Sequence, residues 1–335
     1  MDHLLPVCRP SIISYIHHAN YLSVAEVNEN ARHYLVNCFL HLYTVKDSIP
    51  SALAVDFYMY DGTRPRYPFV SKATLTAGML RHLSPGGVVD ASCKILDAGS
   101  YVEPTLDEYY ISEKFAYRKF HFPHKSLIYG YSAERRIFYA QGYTKDFDFK
   151  KFTISFDEYR DAFEDKSGKG FGDGMWLTIL TLSKARNDSA HLRFSPELIS
   201  QYLKDFLESR PSFVHHRPEE SVFGRAVYEA AINKVAKHNR RNIDVRAWCV
   251  MHEHKLQLLR LHDYMVNEAK LDLPKRTRDG IVQLGDDFLA LKNYLTEAAY
   301  SNSEVKVEAL RNNLAAATER EPALLNDLIE VLDRQ

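Results

Sequence analysis

The chain has 335 residues, is 45% hydrophobic and carries a formal net charge of -1, with an isoelectric point near 7.0. That length can bury a large core in one big domain or two intimate ones, and the balanced charge argues against a general nucleic-acid or membrane-surface binder. Its four cysteines, Cys8, Cys38, Cys93 and Cys249, are widely spaced with no CxxC, which excludes a disulfide framework or zinc knuckle and suits a reducing cytoplasm.

Taken in chain order, the N-terminus shows no basic n-region followed by an apolar stretch, and no run approaches the length of a membrane span, so neither a signal peptide nor a membrane partner is expected. "RPSIISYIHHANYLSV" reads as extended. "NENARHYLVNCFLHLYT" reads as a helix capped by Asn28 or Asn30, with Leu35, Cys38, Phe39 and Leu42 at helical spacing. "SALAVDFYMYDG" is strand-like and closes on an Asp-Gly turn. "KATLTAGMLRHL" and "VVDASCKILDAG" read as two short helices split by Ser84-Pro85-Gly86-Gly87. Strand signals then come close together in "SYVEPTLDEYYI", "KSLIYGY", "RIFYAQGY" and "FKKFTIS", and the short turns between them predict an antiparallel meander.

A helix capped by Ser155 follows. The glycine-rich "SGKGFGDG" lacks the Gly-Lys-Ser/Thr ending of a phosphate-binding loop and reads as a connection, and "MWLTILTLS" as one more strand. From Ser195-Pro196-Glu197, a helix start with cap and early proline, the chain becomes amphipathic helix over 219–238, 244–270, 277–300 and 304–334. The expected fold class is α+β: an N-terminal half (1–190) built on an antiparallel sheet, then an all-helical half (191–335). No internal repeat is present.

The candidate chemistry centres on His124, placed at the start of the "LIYGY" strand near a sheet edge. Imidazole ordinarily titrates near neutrality, so a histidine there suits a general base. The competing reading is a half-buried histidine bonded to a carbonyl. Asp107-Glu108-Tyr109-Tyr110, then His124, Leu127 to Tyr131 and Phe138-Tyr139, together resemble the butirosin acyltransferase family. This is a papain-like group from antibiotic and nonribosomal-peptide pathways, and "DVRAWCVMHEHKLQLLRLHDYM" is similar to its C-terminal region.

The resemblance implies a papain-like N-terminal half and transfer of an acyl group from a carrier-protein thioester to an amine. No cofactor of its own is implied; the donor is the phosphopantetheine arm of an acyl or peptidyl carrier protein. The family's cysteine begins its first core helix, a position that lowers a thiol pKa. Here that place falls near Asn28 to Asn30, without a cysteine, which leaves Cys38, further along the same helix, as candidate nucleophile. The base's usual aspartate falls near Gln141 or Gly142, and Gln141 can orient an imidazole through its amide oxygen.

Asp107 and Glu108 are candidates to bind a cationic acceptor, and Tyr129 and Gln141 complete the substrate-binding set. A catalytically degenerate scaffold that gathers carrier protein or pathway enzymes is the alternative to an enzyme. The His252-Glu253-His254 run lacks the HExxH spacing of a zinc site, and no metal is expected. His121 and His124, three apart on a strand, are expected on opposite faces. Arg225, Lys234, Lys237, Arg240, Arg241 and Arg246 form a basic stretch that reads as a solvated face or a carrier-docking face. The long C-terminal helices permit an oligomer without requiring one.

Overall fold

The computed structural model describes residues 2–46, 54–58, 67, 69–164, 175–182, 193–213, 218–237 and 244–335. The elements run β1 (Asp2–Leu4), α1 (Ile16–Ala25), α2 (Ala31–Leu35), β2 (Leu42–Val45), β3 (Val55–Phe57), β4 (Val70–Thr76), α3 (Ala77–Leu83) and α4 (Gly87–Asp97). Then come β5 (Tyr101–Asp107), β6 (Pro123–Lys125), β7 (Leu127–Ser132), β8 (Ile137–Tyr143), β9 (Phe149–Ser155), α5 (Phe156–Phe163) and β10 (Trp176–Leu182). The last elements are α6 (Pro196–Glu208), β11 (Ser221–Phe223), α7 (Ala226–Lys237), α8 (Arg246–Asn267), α9 (Lys275–Ser301), α10 (Val307–Glu319) and α11 (Glu321–Leu332).

The fold is mixed: an antiparallel sheet dominates the N-terminal half and helices the C-terminal half. Two compact units divide the chain, one of Met1–Ala31 and Tyr67–Asp188, the other of Arg32–Arg66 and Ser189–Gln335. Residues 32–66 thus fall with 189–335 rather than with the rest of the N-terminal half. Among the described residues no helix is long and apolar enough to cross a membrane.

In the first unit the sheet runs β4-β10-β5-β7-β8-β9, with β1 added to β7 and β6 to β5. Every pairing is antiparallel, as the short turns of the meander require. Side chains alternate across such a sheet, so register decides which residues meet. Val102, Leu106, Ile128 and Ala140 fall on one face, where they join Val88, Ala91 and Leu96 of α4 and Phe156, Tyr159 and Phe163 of α5 in one apolar core. Glu103, Leu127 and Gln141 share the other face, and α1 lies on it, with Asn20 Nδ2 donating to Glu103 Oε1 at 2.8 Å. Ser155 caps α5 in a reciprocal capping box with Glu158.

Two local expectations are corrected. The stretch read as extended holds α1, whereas the expected 28–44 helix shortens to α2, leaving Cys38 in the turn beyond it. Likewise 70–76, read in part as helix, is β4, paired along its whole length with β10. The glycine-rich 167–174 segment, the Asp61-Gly62 turn, and Arg240 and Arg241 lie outside the described residues.

In the second unit β11-β2-β3 form a small antiparallel sheet, and α8 packs along α9. At its centre Lys255 is fully buried. Its ammonium donates to Glu321, to Tyr228 Oη and to His254 Nδ1, and lies 4.7 to 5.2 Å from the ring centroids of Phe206, Tyr228 and Phe288. His254 donates through Nε2 to the Leu40 carbonyl at 3.0 Å. A lysine ammonium has three protons to place, and here each has an acceptor, which is what a buried charge requires. Arg225 also serves this centre, pairing with Glu321 at 3.3 Å and donating to the Thr318 carbonyl. The basic stretch is therefore in part structural.

Candidate active site

Strand β5 is buried along its whole length although it carries Glu103 and Asp107, and Glu108 follows in a short 3-10 turn. Buried carboxylates need donors, and the chain returns them 14 and 16 residues later. The β5–β6 register sets Asp107 opposite Pro123 and Leu106 opposite His124. His121 Nδ1 donates to Asp107 Oδ2 at 2.6 Å, while Asp107 Oδ1 accepts from the amides of Phe122 and Tyr109 at 2.9 and 3.1 Å. His124 Nδ1 donates to Glu108 Oε1 at 3.0 Å. Lys125 Nζ donates to Glu103 Oε2 at 2.7 Å.

The Glu108–His124 pair has a third member. Lys114, with its side chain buried, places Nζ 3.3 Å from the same Glu108 oxygen, donates to the Tyr143 carbonyl at 2.7 Å and lies over the Phe152 ring. Burial raises the Glu108 carboxyl pKa, but the His124 hydrogen bond and the Lys114 charge outweigh it and hold the group below its ordinary value. Burial lowers the Lys114 pKa, with Glu108 opposing. An ionised carboxylate on Nδ1 fixes the imidazole tautomer and leaves Nε2 with its lone pair, the atom a general base uses. His124 retains 28% side-chain exposure.

The sequence-derived candidates separate accordingly. His124 is held by Glu108 and keeps part of its side chain exposed. Asp107 and Glu108 do not wait for a cationic acceptor; they are buried partners of His121 and His124, which is a correction. Gln141 does not orient His124 either. It sits on the opposite face of the sheet, its Nε2 donates to the Cys8 carbonyl at 2.9 Å, and Glu108 does the orienting. Tyr129 is packed between the Tyr139 ring and the Lys151 ammonium, away from these pairs.

Cys38 belongs to the second unit, and burial pushes its thiol up to about 12, opposite to what a nucleophile needs. The Cys8 thiol contacts the Leu22 and Ser23 carbonyls. His252 and His254 diverge as their spacing predicts: burial pushes His252 down to about 4, while His254 joins the Lys255 centre. The sequence reading missed Lys114 and the role of His121. The signal for His121 was the pair Asp107-Glu108 followed by His-x-x-His across one antiparallel return. Lys114 had no such signal. The chain matches no model of a known protein family, and no curated protein sequence matches it.

Proposed function

We propose that the first unit is a papain-like acyltransferase of the butirosin type, forming an amide between an acyl group on a carrier-protein thioester and an amine. The observation that supports this most is the carboxylate-held His124, tautomer fixed by Glu108 and side chain partly exposed at the mouth of a strand. A thioester is already activated, so direct aminolysis suffices. The amine nitrogen attacks the thioester carbonyl, His124 Nε2 takes the ammonium-type proton as the C–N bond forms, and the C–S bond breaks to release the phosphopantetheine thiolate, which takes up that proton. Positioning of the two reactants with one base accounts for several orders of magnitude in rate. The raised Cys38 thiol favours this route over an acyl-cysteine.

The second reading, a non-catalytic scaffold, is favoured by the lack of a cysteine near Asn28 to Asn30, where the family's nucleophile would stand. One comparison separates them: the rate of amide formation from purified acyl-carrier thioester by wild type and His124→Ala, with thermal melts of both. The expected loss is roughly 10²–10⁴, with a cooperative melt whose stability falls by no more than the loss of one hydrogen bond to a charged group, about 1.5–3 kcal/mol. A normally folded variant that turns over within a few-fold of wild type sinks the general-base reading. An acyl adduct on wild type that disappears in Cys38→Ala would restore the covalent route.

A further inference from the structure

Four phenylalanines of the first unit stand open to solvent beside the candidate base. Phe115, Phe120, Phe122 and Phe147 are 39, 46, 45 and 51% exposed. Their rings form a continuous run: Phe147 to Phe115 at 4.7 Å, Phe115 to Phe120 at 6.1 Å, Phe120 to Phe122 at 6.3 Å, and Phe122 to the His124 ring at 5.3 Å. A contiguous apolar patch is unusual on a protein that meets only water. Phe147 also has a left-handed backbone, φ 57°, where glycine or asparagine would cost less. Backbone preference and solvation thus both oppose a bulky aromatic there.

The patch is cationic on the stretch that carries Phe115, Phe120 and Phe122, while Phe147 is flanked by Asp146 and Asp148. From Lys114 to Lys125 the sequence contains no acidic residue. Lys119 Nζ lies 4.4 Å from the Phe115 ring centroid, and the Arg118 guanidinium 5.1 Å from that of Tyr117. Neither cation has an ion-pair partner among the described residues. Lys145 and Lys150, nearby, are paired with Glu113 and Asp146.

We propose that this aromatic ridge, with Arg118 and Lys119 at its rim, docks an acidic acyl-carrier protein and brings its acylated arm to His124. The inference rests on the acyl-transfer reading and names the surface that reading needs. An apolar centre with a charged rim is the anatomy of a protein–protein interface, with aromatic anchors supplying affinity and the rim charges supplying orientation and encounter rate. Two unpaired cations orient an acidic protein. They fall short of the clusters of about four to eight by which anionic membranes hold a protein.

The test uses the full chain and two double variants, Phe120→Ser with Phe147→Ser and Arg118→Glu with Lys119→Glu. Each is titrated with a phosphopantetheinylated peptidyl carrier domain bearing an aminoacyl thioester, and assayed for amide formation from that donor and from the same acyl group on free pantetheine. Both variants should bind the carrier domain at least tenfold more weakly, while turnover of the free pantetheine thioester stays within twofold of wild type. Wild-type affinity should fall as salt rises. Equal binding by variants and wild type overturns the docking surface, as does a wild type that does not bind the carrier. So does loss by the variants of affinity for phosphatidylserine vesicles without change toward the carrier, which would make the ridge a membrane contact. If the carrier binds through the ridge but neither donor is turned over, docking stands and the acyl-transfer chemistry fails.

Discussion

Glu108 accepts from His124 and faces the Lys114 ammonium through one oxygen, and this makes it more consequential than its size suggests. Replacing it with Gln keeps an acceptor for His124 but leaves the Lys114 ammonium buried beside a neutral amide. Breaking a buried pair from one side costs about 3–5 kcal/mol. Glu108→Gln should therefore lower stability by an amount of that order, and adding Lys114→Met should recover part of it. Urea denaturation of the two single variants, the double variant and wild type measures the coupling; additive effects would mean that the pair is not coupled. The acid limb gives a second readout. The folded Glu108 pKa is depressed below the ordinary 4.5, so the unfolded chain binds its proton first. Its contribution is whole above 4.5 and is lost as pH falls through the depressed folded value. Glu108→Gln should flatten the acid limb of the stability curve accordingly. From the sequence, Asp107 and Glu108 read as binders of a cationic acceptor, because nothing local reveals that β6 returns His121 and His124 to them.

At the scale of elements, Gly130 fixes how β1 reaches the sheet. A Cβ there would collide with the His3 carbonyl and press on Leu4, and the β7–β8 register slips between Ile128 and Gly130. Gly130→Ala should thus displace β1 specifically. We expect a destabilisation of about 1–3 kcal/mol, the usual cost of overpacking, with faster amide exchange confined to β1 and its β7 partners. Uniform exchange across the sheet would argue against this account. Elements marked by turn chemistry and caps were legible: the meander, α5 with its Ser155 cap, and α6 behind Ser195-Pro196. α1 was not, because it opens at Tyr15 without a side-chain cap and buries His18, Asn20 and Ser23 alongside its apolar residues. No apolar stripe marks it as helix. β4 was misread in part because pairing with β10 overrides its weak local preference.

At the scale of the whole chain, the composition change near 190 was visible, but the claim of the helical unit on residues 32–66 was not. That claim rests on long-range partners: β2 pairs with β11, and the Leu40 carbonyl accepts from His254. A fragment comprising 191–335 alone loses both. It should lack the cooperative thermal transition and the near-ultraviolet circular dichroism of the full chain, despite containing every long helix. A fragment that melts cooperatively near the full-length temperature would show that 32–66 is dispensable. Lys255, enclosed in that same unit by Glu321, His254 and the rings of Phe206, Tyr228 and Phe288, offers a clock. An amine-acylating reagent cannot reach its nitrogen until the surrounding helices part. Mass-resolved labelling of Lys255 in native buffer should lag far behind that of exposed lysines such as Lys94, and should track the rate or equilibrium of opening rather than reagent chemistry.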